Sequence, residues 1–229
     1  MKYKLKRAIN LLLHGGANLH SSQYGEDIYL HKKFRKMKTP GFYVDIGAHH
    51  PFRLSNTAYL WALGWNGLNV DASKFTIKLF EKYRPKDINL CKAVVSSEQA
   101  KNAESITFFY SDEIDNCATC DPNIAKERNL NKQVTVPCIS LDHLIDLACL
   151  KFDGEFDLLN IDIEGFDEAV ITNLSLWPRK PNILMIEIYG KNINDLINNP
   201  TTQLIETSGY SLVERIGHTA IFELQRQID

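Results

Sequence analysis

The feature that most constrains the fold of this chain is an apolar run that passes directly into a turn of small residues. The run is Phe42–Ile46, and the turn begins at Gly47 and Ala48. A second short apolar run, residues 68–70, ends in Asp71. In a doubly wound sheet, a glycine turn lets a ligand approach the backbone, and an acid after the next strand accepts hydrogen bonds from ribose hydroxyls. The spacing therefore predicts a parallel α/β sheet that binds an adenosine-containing cofactor.

The composition agrees with one soluble globular domain. The chain has 229 residues, of which 44% are hydrophobic and 24% are charged, and these values are ordinary for such a domain. The formal net charge is -2, so no overall electrostatic attraction to nucleic acid is expected. No apolar run approaches the ~20 residues of a spanning helix. We therefore expect neither a nucleic-acid partner nor an integral membrane segment.

The first residues combine basic side chains with a short apolar run. The basic residues are Lys2, Lys4, Lys6 and Arg7, and the apolar run is residues 8–13. This run is too short for a secretion signal, so we expect an amphipathic helix that covers the core. Weak attachment to an anionic membrane surface is the alternative.

The five cysteines indicate reduced thiols and a cytoplasmic location, because their number is odd and no secretion signal precedes them. Cys117 and Cys120 have the spacing of a zinc knuckle. A structural zinc site needs four ligands, and no second pair occurs, so we predict a mobile loop without metal. Cys91, Cys138 and Cys149 lie in apolar patterns that are typical of core.

Strand-like and helix-like runs alternate along most of the chain, which favours a mostly parallel sheet with helices on both faces. Residues 88–95 are predicted as the third strand, and Leu54 and Trp61 are predicted as core residues of a helix after Pro51. The alternation then breaks, because two strand-like runs flank a polar stretch at residues 111–132. We predict an inserted antiparallel pair whose long loop is either a substrate lid or a surface excursion.

The pattern near the end of the sequence indicates which of two kinds of doubly wound fold the chain adopts. Two strand-like runs, residues 210–214 and Thr219–Leu224, lie on either side of Gly217 and His218 and predict a hairpin. A parallel sheet that finishes with an antiparallel hairpin is typical of Rossmann-like methyltransferases rather than of dehydrogenases.

Acidic residues lie at or close to the ends of four predicted strands of this sheet. They are Asp45 beside Gly47, then Asp71, then Asp162 with Glu164, and finally Glu187. The carboxyl ends of parallel strands form the usual ligand site of this architecture. A single acid there is often only a helix cap, but a repeated acid predicts a shared ligand site.

The turn after the first strand indicates which cofactor binds. It lacks the third glycine of the dinucleotide fingerprint and carries His49, His50 and Pro51 instead. A pyrophosphate needs closely wrapped backbone and helix N–H groups, so this turn disfavours NAD. It suits S-adenosylmethionine, which has a ribose but no phosphate.

The sequence resembles the FkbM-type S-adenosylmethionine-dependent methyltransferases over roughly residues 20 to 190. The matching segments are residues 22–27, 42–48, 64–72, 140–142 and 159–167. The resemblance implies a Rossmann-like class I methyltransferase domain at residues 41–229, with an N-terminal helical segment at 1–40, an inserted β-hairpin near 104–138 and a C-terminal antiparallel hairpin. It also implies O-methylation of a carbohydrate or another small polar acceptor, in surface-polysaccharide biosynthesis. The acceptor's identity and the oligomeric state are left open.

The strand ends, the resemblance and the chemistry of methyl transfer together predict a set of site residues, although the family turn usually continues with Asn after Ala48 where this chain has His49, His50 and Pro51. The expected cofactor-binding residues are Gln23, Asp45, Gly47, Ala48, Asn56, Asp71, Ala72 and Asp162. The expected catalytic residues are His50, Asp162 and Glu187. A neutral histidine suits proton removal from an alcohol, so His50 is the first candidate base and His218 a second, although both histidines of the turn are also suited to cap the next helix. Asp162 is suited to bind the cofactor's ammonium, to position the acceptor or to ligate a cation, and no metal is assigned. An NAD-dependent oxidoreductase and a non-catalytic cofactor-binding domain are the rival functions.

Overall fold

The computed structural model describes residues 20–37 and 39–225, and in this part of the chain helices cover a central mixed sheet. The strands are β1 (Phe42–Ile46), β2 (Asn66–Asp71), β3 (Ile88–Cys91), β4 (Ala93–Val95), β5 (Ser105–Tyr110), β6 (Lys132–Ser140), β7 (Phe156–Ile161), β8 (Ile183–Glu187), β9 (Tyr210–Ile216) and β10 (Thr219–Leu224). The helices are α1 (Glu26–Phe34), α2 (Ala58–Ala62), α3 (Lys74–Tyr83), α4 (Ser97–Asn102), α5 (Pro122–Glu127), α6 (Leu141–Lys151), α7 (Asp167–Val170), α8 (Ile193–Ile197) and α9 (Pro200–Thr207), with a 3₁₀ turn at Leu174–Leu176.

The central sheet has the strand order β3-β2-β1-β7-β8-β10-β9. Its first five strands run parallel to one another, and β10 pairs antiparallel with both β8 and β9. The prediction of an α/β fold with a mainly parallel sheet is confirmed. The order reverses direction next to β1, so the carboxyl ends of β1, β2 and β7 border one crevice.

The apolar runs become strands because both faces of the sheet are covered. Every residue of β1 and of β7 is buried. Val44 and Leu159 belong to a core under one face, whereas Tyr43 and Leu158 pack under the other. Continuous apolar runs are the expected pattern for parallel strands that are buried on both sides.

The third predicted strand divides into two, so the prediction of one strand over residues 88–95 is wrong. β3 pairs with β2 in the central sheet, but β4 pairs parallel with β6 in a smaller sheet. The break falls at Lys92, whose backbone N–H donates to the Asp71 carbonyl oxygen at 3.0 Å. The chain therefore leaves the central sheet beside the end of β2.

The inserted region carries more structure than its polar sequence predicts. β5 and β6 pair antiparallel, and the connection between them contains α5, which the sequence analysis missed. Asp121 caps α5 by accepting from the backbone N–H groups of Asn123 and Ile124. Proline at the first position of α5 also favours a helix start there.

The helix after Pro51 begins only at Ala58, later than expected. Leu54 lies in the preceding loop with φ 51° and is 43% exposed, so its prediction as a core residue is wrong. Trp61 is partly buried. The loop from Pro51 to Thr57 is not helical because Asp45 of β1 and Arg84, which directly follows α3, hold its side chains and backbone by hydrogen bonds.

The described part of the N-terminal segment packs on the main sheet. Leu30 and Phe34 of α1 share a core with Tyr43 and Trp65. The predicted amphipathic helix over residues 2–13 lies outside the described residues. Within residues 20–37 and 39–225, no helix has the length and apolar character that a membrane crossing requires.

Candidate active site

A cleft opens at the carboxyl ends of β1, β2 and β7, where a doubly wound sheet places its ligands. Every residue that the sequence assigned to the cofactor lines this cleft: Gln23, Asp45, Gly47, Ala48, Asn56, Asp71, Ala72 and Asp162. His50 and Glu187, which the sequence assigned to catalysis, are not among its lining residues.

The floor of the cleft is the turn at Gly47. The backbone N–H groups of Gly47 and Ala48 both donate to the Val70 carbonyl oxygen, at 2.9 and 3.2 Å. Gly47 has φ 75°, and a Cβ built there would lie 1.6 Å from the Asp162 carbonyl oxygen. Glycine is required here because the turns after β1 and β7 meet backbone to backbone.

Asp71 ends β2 and faces the cleft from the side of Ala72. Its two carboxylate oxygens accept backbone hydrogen bonds from Ser73 at 2.7 Å and from His49 at 2.9 Å. Burial raises the pKa of this carboxyl to about 6, although the two hydrogen bonds oppose that rise. Each oxygen keeps a second lone pair, so Asp71 can still accept from ribose hydroxyls.

Asp45 is a buried residue of β1 that fixes the orientation of side chains in the cleft lining. It is 2% exposed, and its oxygens accept from Thr57 Oγ1 at 2.6 Å and from Asn160 Nδ2 at 2.9 Å. Asn160 Oδ1 in turn accepts from Asn56 Nδ2 at 2.9 Å. Asp45 therefore orients two cleft-lining amides. The sequence analysis missed Asn160, and its one signal was a polar side chain within the apolar run of β7.

A fully buried guanidinium holds the loop that carries Asn56. Arg84 has no exposed surface, and its Nη1 donates to Thr57 Oγ1 at 2.9 Å. Its Nη2 donates to the carbonyl oxygen of Pro51 and to Ser55 Oγ. The Arg84 guanidinium also lies over the Phe80 ring, 5.0 Å from its centroid. This residue was missed because nothing in the sequence distinguishes it from the surface basic residues of α3.

An acidic pair consists of Asp162, which directly follows β7, and Glu187, which ends β8. Burial, followed by the neighbouring Glu187 charge, holds the pKa of Asp162 well above its usual range. Burial also raises the pKa of Glu187, although a hydrogen bond from Tyr189 Oη at 2.7 Å opposes this. Nearby Asp167 has a pKa raised to about 7, chiefly by burial. The region therefore carries excess negative charge, and a cation or a shared proton would stabilise it.

The two histidines of the turn differ in their placement, and it is His49 that lines the cleft. His50 Nδ1 accepts backbone hydrogen bonds from Phe52 at 3.0 Å and from Arg53 at 3.1 Å. In a neutral imidazole with Nδ1 accepting, Nε2 carries the proton and can only donate. This arrangement argues against His50 as the base. His50 instead holds the turn at Phe52 and Arg53, which ends before α2 begins at Ala58, so it does not cap that helix. His218 lies in the β9–β10 turn, with its ring 4.9 Å from that of Tyr189.

The insertion forms one wall of the cleft, with contributions from residues 115–120 and Phe108. Thr119 Oγ1 donates to the Glu164 carbonyl oxygen at 2.7 Å, and Arg128 pairs with the Glu164 carboxylate at 2.7 Å. These contacts attach the insertion to the turn after β7. Lys92, Phe108 and Thr119 were missed because only the fold brings them to the cleft.

The cysteines are free thiols. Cys120 lines the cleft, and burial raises its pKa to about 12, whereas Cys117 is exposed. Among the described residues, no group of three or more His, Cys, Asp or Glu side chains is placed to hold a metal ion. The absence of a structural zinc stays a prediction. Cys91, Cys138 and Cys149 are partly buried rather than fully in the core.

Comparison with known proteins gave one match. The family model described as the methyltransferase FkbM domain matches residues 45–207. That range includes the Gly47 turn, Asp71, the insertion and the acidic pair. No curated protein and no solved structure matches the chain.

Proposed function

Because the chain belongs to the FkbM methyltransferase family, we propose that it transfers a methyl group from S-adenosylmethionine to a hydroxyl oxygen. The proposed acceptor is a carbohydrate or another small polar molecule, and the proposed wider role is surface-polysaccharide biosynthesis in the cytoplasm. The acceptor and the wider role come from the family resemblance. The choice of cofactor rests on the chemistry of the cleft.

The observation that carries the cofactor proposal is the charge of the cleft lining. Its acidic members are Asp45, Asp71, Asp115, Asp162 and Glu164, and among the described lining residues Lys92 is the only lysine or arginine. S-adenosylmethionine brings a sulfonium and an ammonium, which such a surface stabilises, whereas the pyrophosphate of NAD brings two negative charges. Like charges placed together in a cleft oppose binding. The acidic lining therefore fits S-adenosylmethionine and disfavours NAD, and with it the oxidoreductase alternative.

The described residues provide a place for each part of this cofactor. Asp71 would accept from the ribose hydroxyls, and the backbone at Gly47 and Ala48 allows close approach. Phe108, an apolar ring in the lining, would take the adenine ring. Asn56, held by Asn160 (2.9 Å), would bind the amino-acid tail.

When bound, S-adenosylmethionine supplies an electrophilic methyl carbon that becomes bonded to the acceptor oxygen as the carbon–sulfur bond breaks and sulfur keeps the electron pair. The acceptor hydroxyl must also lose its proton. We assign this proton to the Asp162 carboxylate, because its raised pKa makes it a better proton acceptor than an ordinary carboxylate. Glu187 keeps that pKa raised through its own charge.

Binding measurements test the cofactor proposal directly. Calorimetric titration of the purified protein should show binding of S-adenosylmethionine and S-adenosylhomocysteine, and no binding of NAD. The opposite order of affinities would support the oxidoreductase. Binding without turnover across a broad acceptor panel would support a non-catalytic cofactor-binding domain. The wider role is tested by comparing the methylated sugars of surface polysaccharide with and without the gene.

A further inference from the structure

A second surface adjoins the mouth of the cleft, and neither the fold nor the cofactor accounts for it. It consists of Tyr24, His218 and Tyr189, and we call it the aromatic shelf. Tyr24 is 51% exposed and Tyr189 is 50% exposed. Half-exposed tyrosines are typical of binding surfaces, because such a ring offers both an apolar face and a polar hydroxyl.

Neighbouring contacts hold the shelf together. The Tyr24 ring lies against the backbone of Gly217, since a Cβ built on that glycine would be 2.3 Å from the ring. His218 follows directly, and its ring lies 4.9 Å from the ring of Tyr189. The backbone N–H of Ile188 donates to the His218 carbonyl oxygen at 3.0 Å, which fixes this turn beside the end of β8. The three rings therefore flank one β-turn.

Each end of the shelf interacts with a residue that lines the cofactor cleft, either directly or through Glu187. At one end, Gln23 lines the cleft and its Nε2 donates to Tyr24 Oη at 3.1 Å. At the other end, Tyr189 Oη donates to Glu187 Oε2 at 2.7 Å, and the Glu187 charge acts on Asp162 within the cleft. A molecule lying on the shelf would thus present one edge to the proposed base.

The charge beside the shelf restricts what it can bind. Burial and the charges of Glu187, Glu164 and Asp162 raise the pKa of the Tyr189 hydroxyl, and Arg128 is already paired with Glu164 at 2.7 Å. The guanidinium of Arg215 lies beside the same turn, but its Nε donates to the Gly217 carbonyl oxygen at 3.1 Å and its Nη2 to the Gly190 carbonyl oxygen at 2.8 Å. Phosphate or carboxylate placed against Tyr189 would therefore meet these carboxylates, while Arg215 donates to the backbone. Neutral hydroxyls can donate to those carboxylates, and an ammonium would be attracted by them and by the faces of the tyrosine rings.

We propose that the aromatic shelf is the acceptor subsite, and that it takes an uncharged or amine-bearing sugar ring while excluding sugars that carry phosphate or carboxylate. The ring lies against Tyr189, and its hydroxyl or amine donates to Glu187. This inference rests on the proposed methyl transfer. It adds the place and the charge of the acceptor, which the family does not specify.

Saturation-transfer NMR on the protein loaded with S-adenosylhomocysteine tests this subsite. The probes are methyl glucoside, glucosamine, glucuronate and a glucose phosphate ester. The first two should receive saturation from the protein, and the two anionic sugars should not. Tyr189→Phe should keep the signals because it keeps the ring, whereas Tyr189→Ala and Tyr24→Ala should lower the affinity by about tenfold or more. Glu187→Gln should let glucuronate bind.

Tyr83→Ala is the matched control, because Tyr83 is a 41% exposed tyrosine at the end of α3, where its ring packs against that of Phe52 rather than on the shelf. It should leave all four signals unchanged. Thermal melting and S-adenosylhomocysteine titration of each variant show that folding and cofactor binding persist. Anionic sugars that bind as well as neutral ones, signals that survive both tyrosine truncations, or no signal from either neutral or amino sugar would overturn the inference. Failure of the wild-type protein to bind S-adenosylhomocysteine would instead overturn the proposed function.

Discussion

The carbonyl oxygen of Asp162 occupies the space that the first side-chain atom of any larger residue at Gly47 would need, with a calculated separation of 1.6 Å. The two most informative turns of the sequence are thus in direct backbone contact. The glycine is required by the chain's own packing, in addition to any need of a ligand.

Gly47→Ala should therefore destabilise the protein itself. The left-handed backbone conformation costs a non-glycine residue about 1–2 kcal/mol, and the collision adds overpacking of about 1–3 kcal/mol. We expect a total loss of about 2–5 kcal/mol in the free energy of unfolding, measured by urea titration. S-adenosylhomocysteine affinity should fall as well, because the cleft floor must move.

Gly154→Ala provides the control for backbone conformation. Gly154 has φ 91°, but a Cβ there meets nothing within 4 Å. The free energy of unfolding of this variant should fall only by the cost of the left-handed backbone conformation, about 1–2 kcal/mol. Equal losses in the two variants would show that the contact with Asp162 has no energetic consequence.

Asp71→Asn should weaken S-adenosylhomocysteine binding by about ten- to a hundred-fold, since a hydrogen bond to a charged group contributes about 1.5–3 kcal/mol. The pH dependence gives a second measurement. The ligand favours the ionised carboxylate, so wild-type affinity should decline as pH falls below about 6, where Asp71 gains a proton. Folding of the ligand-free protein should respond in the opposite direction, because a raised carboxyl pKa destabilises the folded state above that pH.

Calorimetric titration at several pH values checks both effects. Asn keeps an oxygen that can accept from Ser73 or His49 but has no charge to lose. The variant should therefore show a much flatter affinity profile between pH 5 and 8. An unchanged affinity in a folded variant, at pH 7, would remove Asp71 from the ribose site.

Arg84→Met should lower the free energy of unfolding by about 3–5 kcal/mol, because the buried oxygens that accept hydrogen bonds from the guanidinium would lose their charged partner. Thr57 and Ser55 would lose a donor, and the loop that carries Asn56 would loosen. Cofactor affinity should fall with stability. Urea unfolding and S-adenosylhomocysteine titration measure the two losses.

Arg53→Met is the matched control in the same loop, since Arg53 is exposed. It should change stability by no more than about 0.5 kcal/mol. A similarly small effect at Arg84 would mean that its buried hydrogen bonds only offset the cost of burying its charge.

The central sheet could be predicted from the sequence because burial on both faces leaves a simple signal. The apolar run Phe42–Ile46 has the bounds of β1, and the acids at or next to the ends of β1, β2, β7 and β8 lie in or close to one cleft. Parallel topology brings strand ends together whatever the intervening sequence is. For this reason the cofactor side of the site was the easiest to assign.

The remaining features depend on long-range contacts that a local pattern does not record. Residues 88–95 are uniformly strand-like, so nothing local shows that Lys92 separates two sheets. Arg84 resembles any surface base, and only the packed loop makes it a buried donor. Nothing local shows that His49 rather than His50 would line the cleft, and His49 has φ 52°, a conformation that few non-glycine residues adopt.

The two cysteines of the insertion should differ in reactivity. Cys117 is exposed, whereas Cys120 has a pKa raised to about 12 by burial, so at pH 8 its reactive thiolate is a fraction of about 10⁻⁴. Iodoacetamide should therefore modify Cys117 first, and S-adenosylhomocysteine should protect Cys120 further because that residue lines the cleft. Peptide mass spectrometry over a time course measures both rates.

A zinc ion held by these thiols would slow the modification of both cysteines, since metal binding would shield both thiolates from iodoacetamide. Elemental analysis of protein purified without added metal separates the two cases. One equivalent of zinc that disappears in a Cys117→Ser, Cys120→Ser double variant would contradict our prediction that no structural zinc is present.

The identity of the base is tested by comparing His50→Ala with Asp162→Asn. General-base catalysis is worth about 10²–10⁴-fold in rate. Asp162→Asn should lose that much in kcat. His50→Ala should lose less than about tenfold, because His50 Nδ1 accepts backbone hydrogen bonds within the turn and is not free to accept a proton. The assay uses the sugar that gives the strongest saturation transfer as acceptor.

The pH profile separates catalysis from structural damage. A base must be ionised, so the wild-type rate should fall as pH drops through the raised pKa of Asp162, well above the usual range of a carboxyl group. Glu187→Gln removes a neighbouring negative charge that helps to raise this pKa, so the acid limb should move to lower pH. His50→Ala should leave the limb in place. If His50→Ala instead abolishes the limb, or if Glu187→Gln moves it to higher pH, then Asp162 is not the group that receives the acceptor's proton.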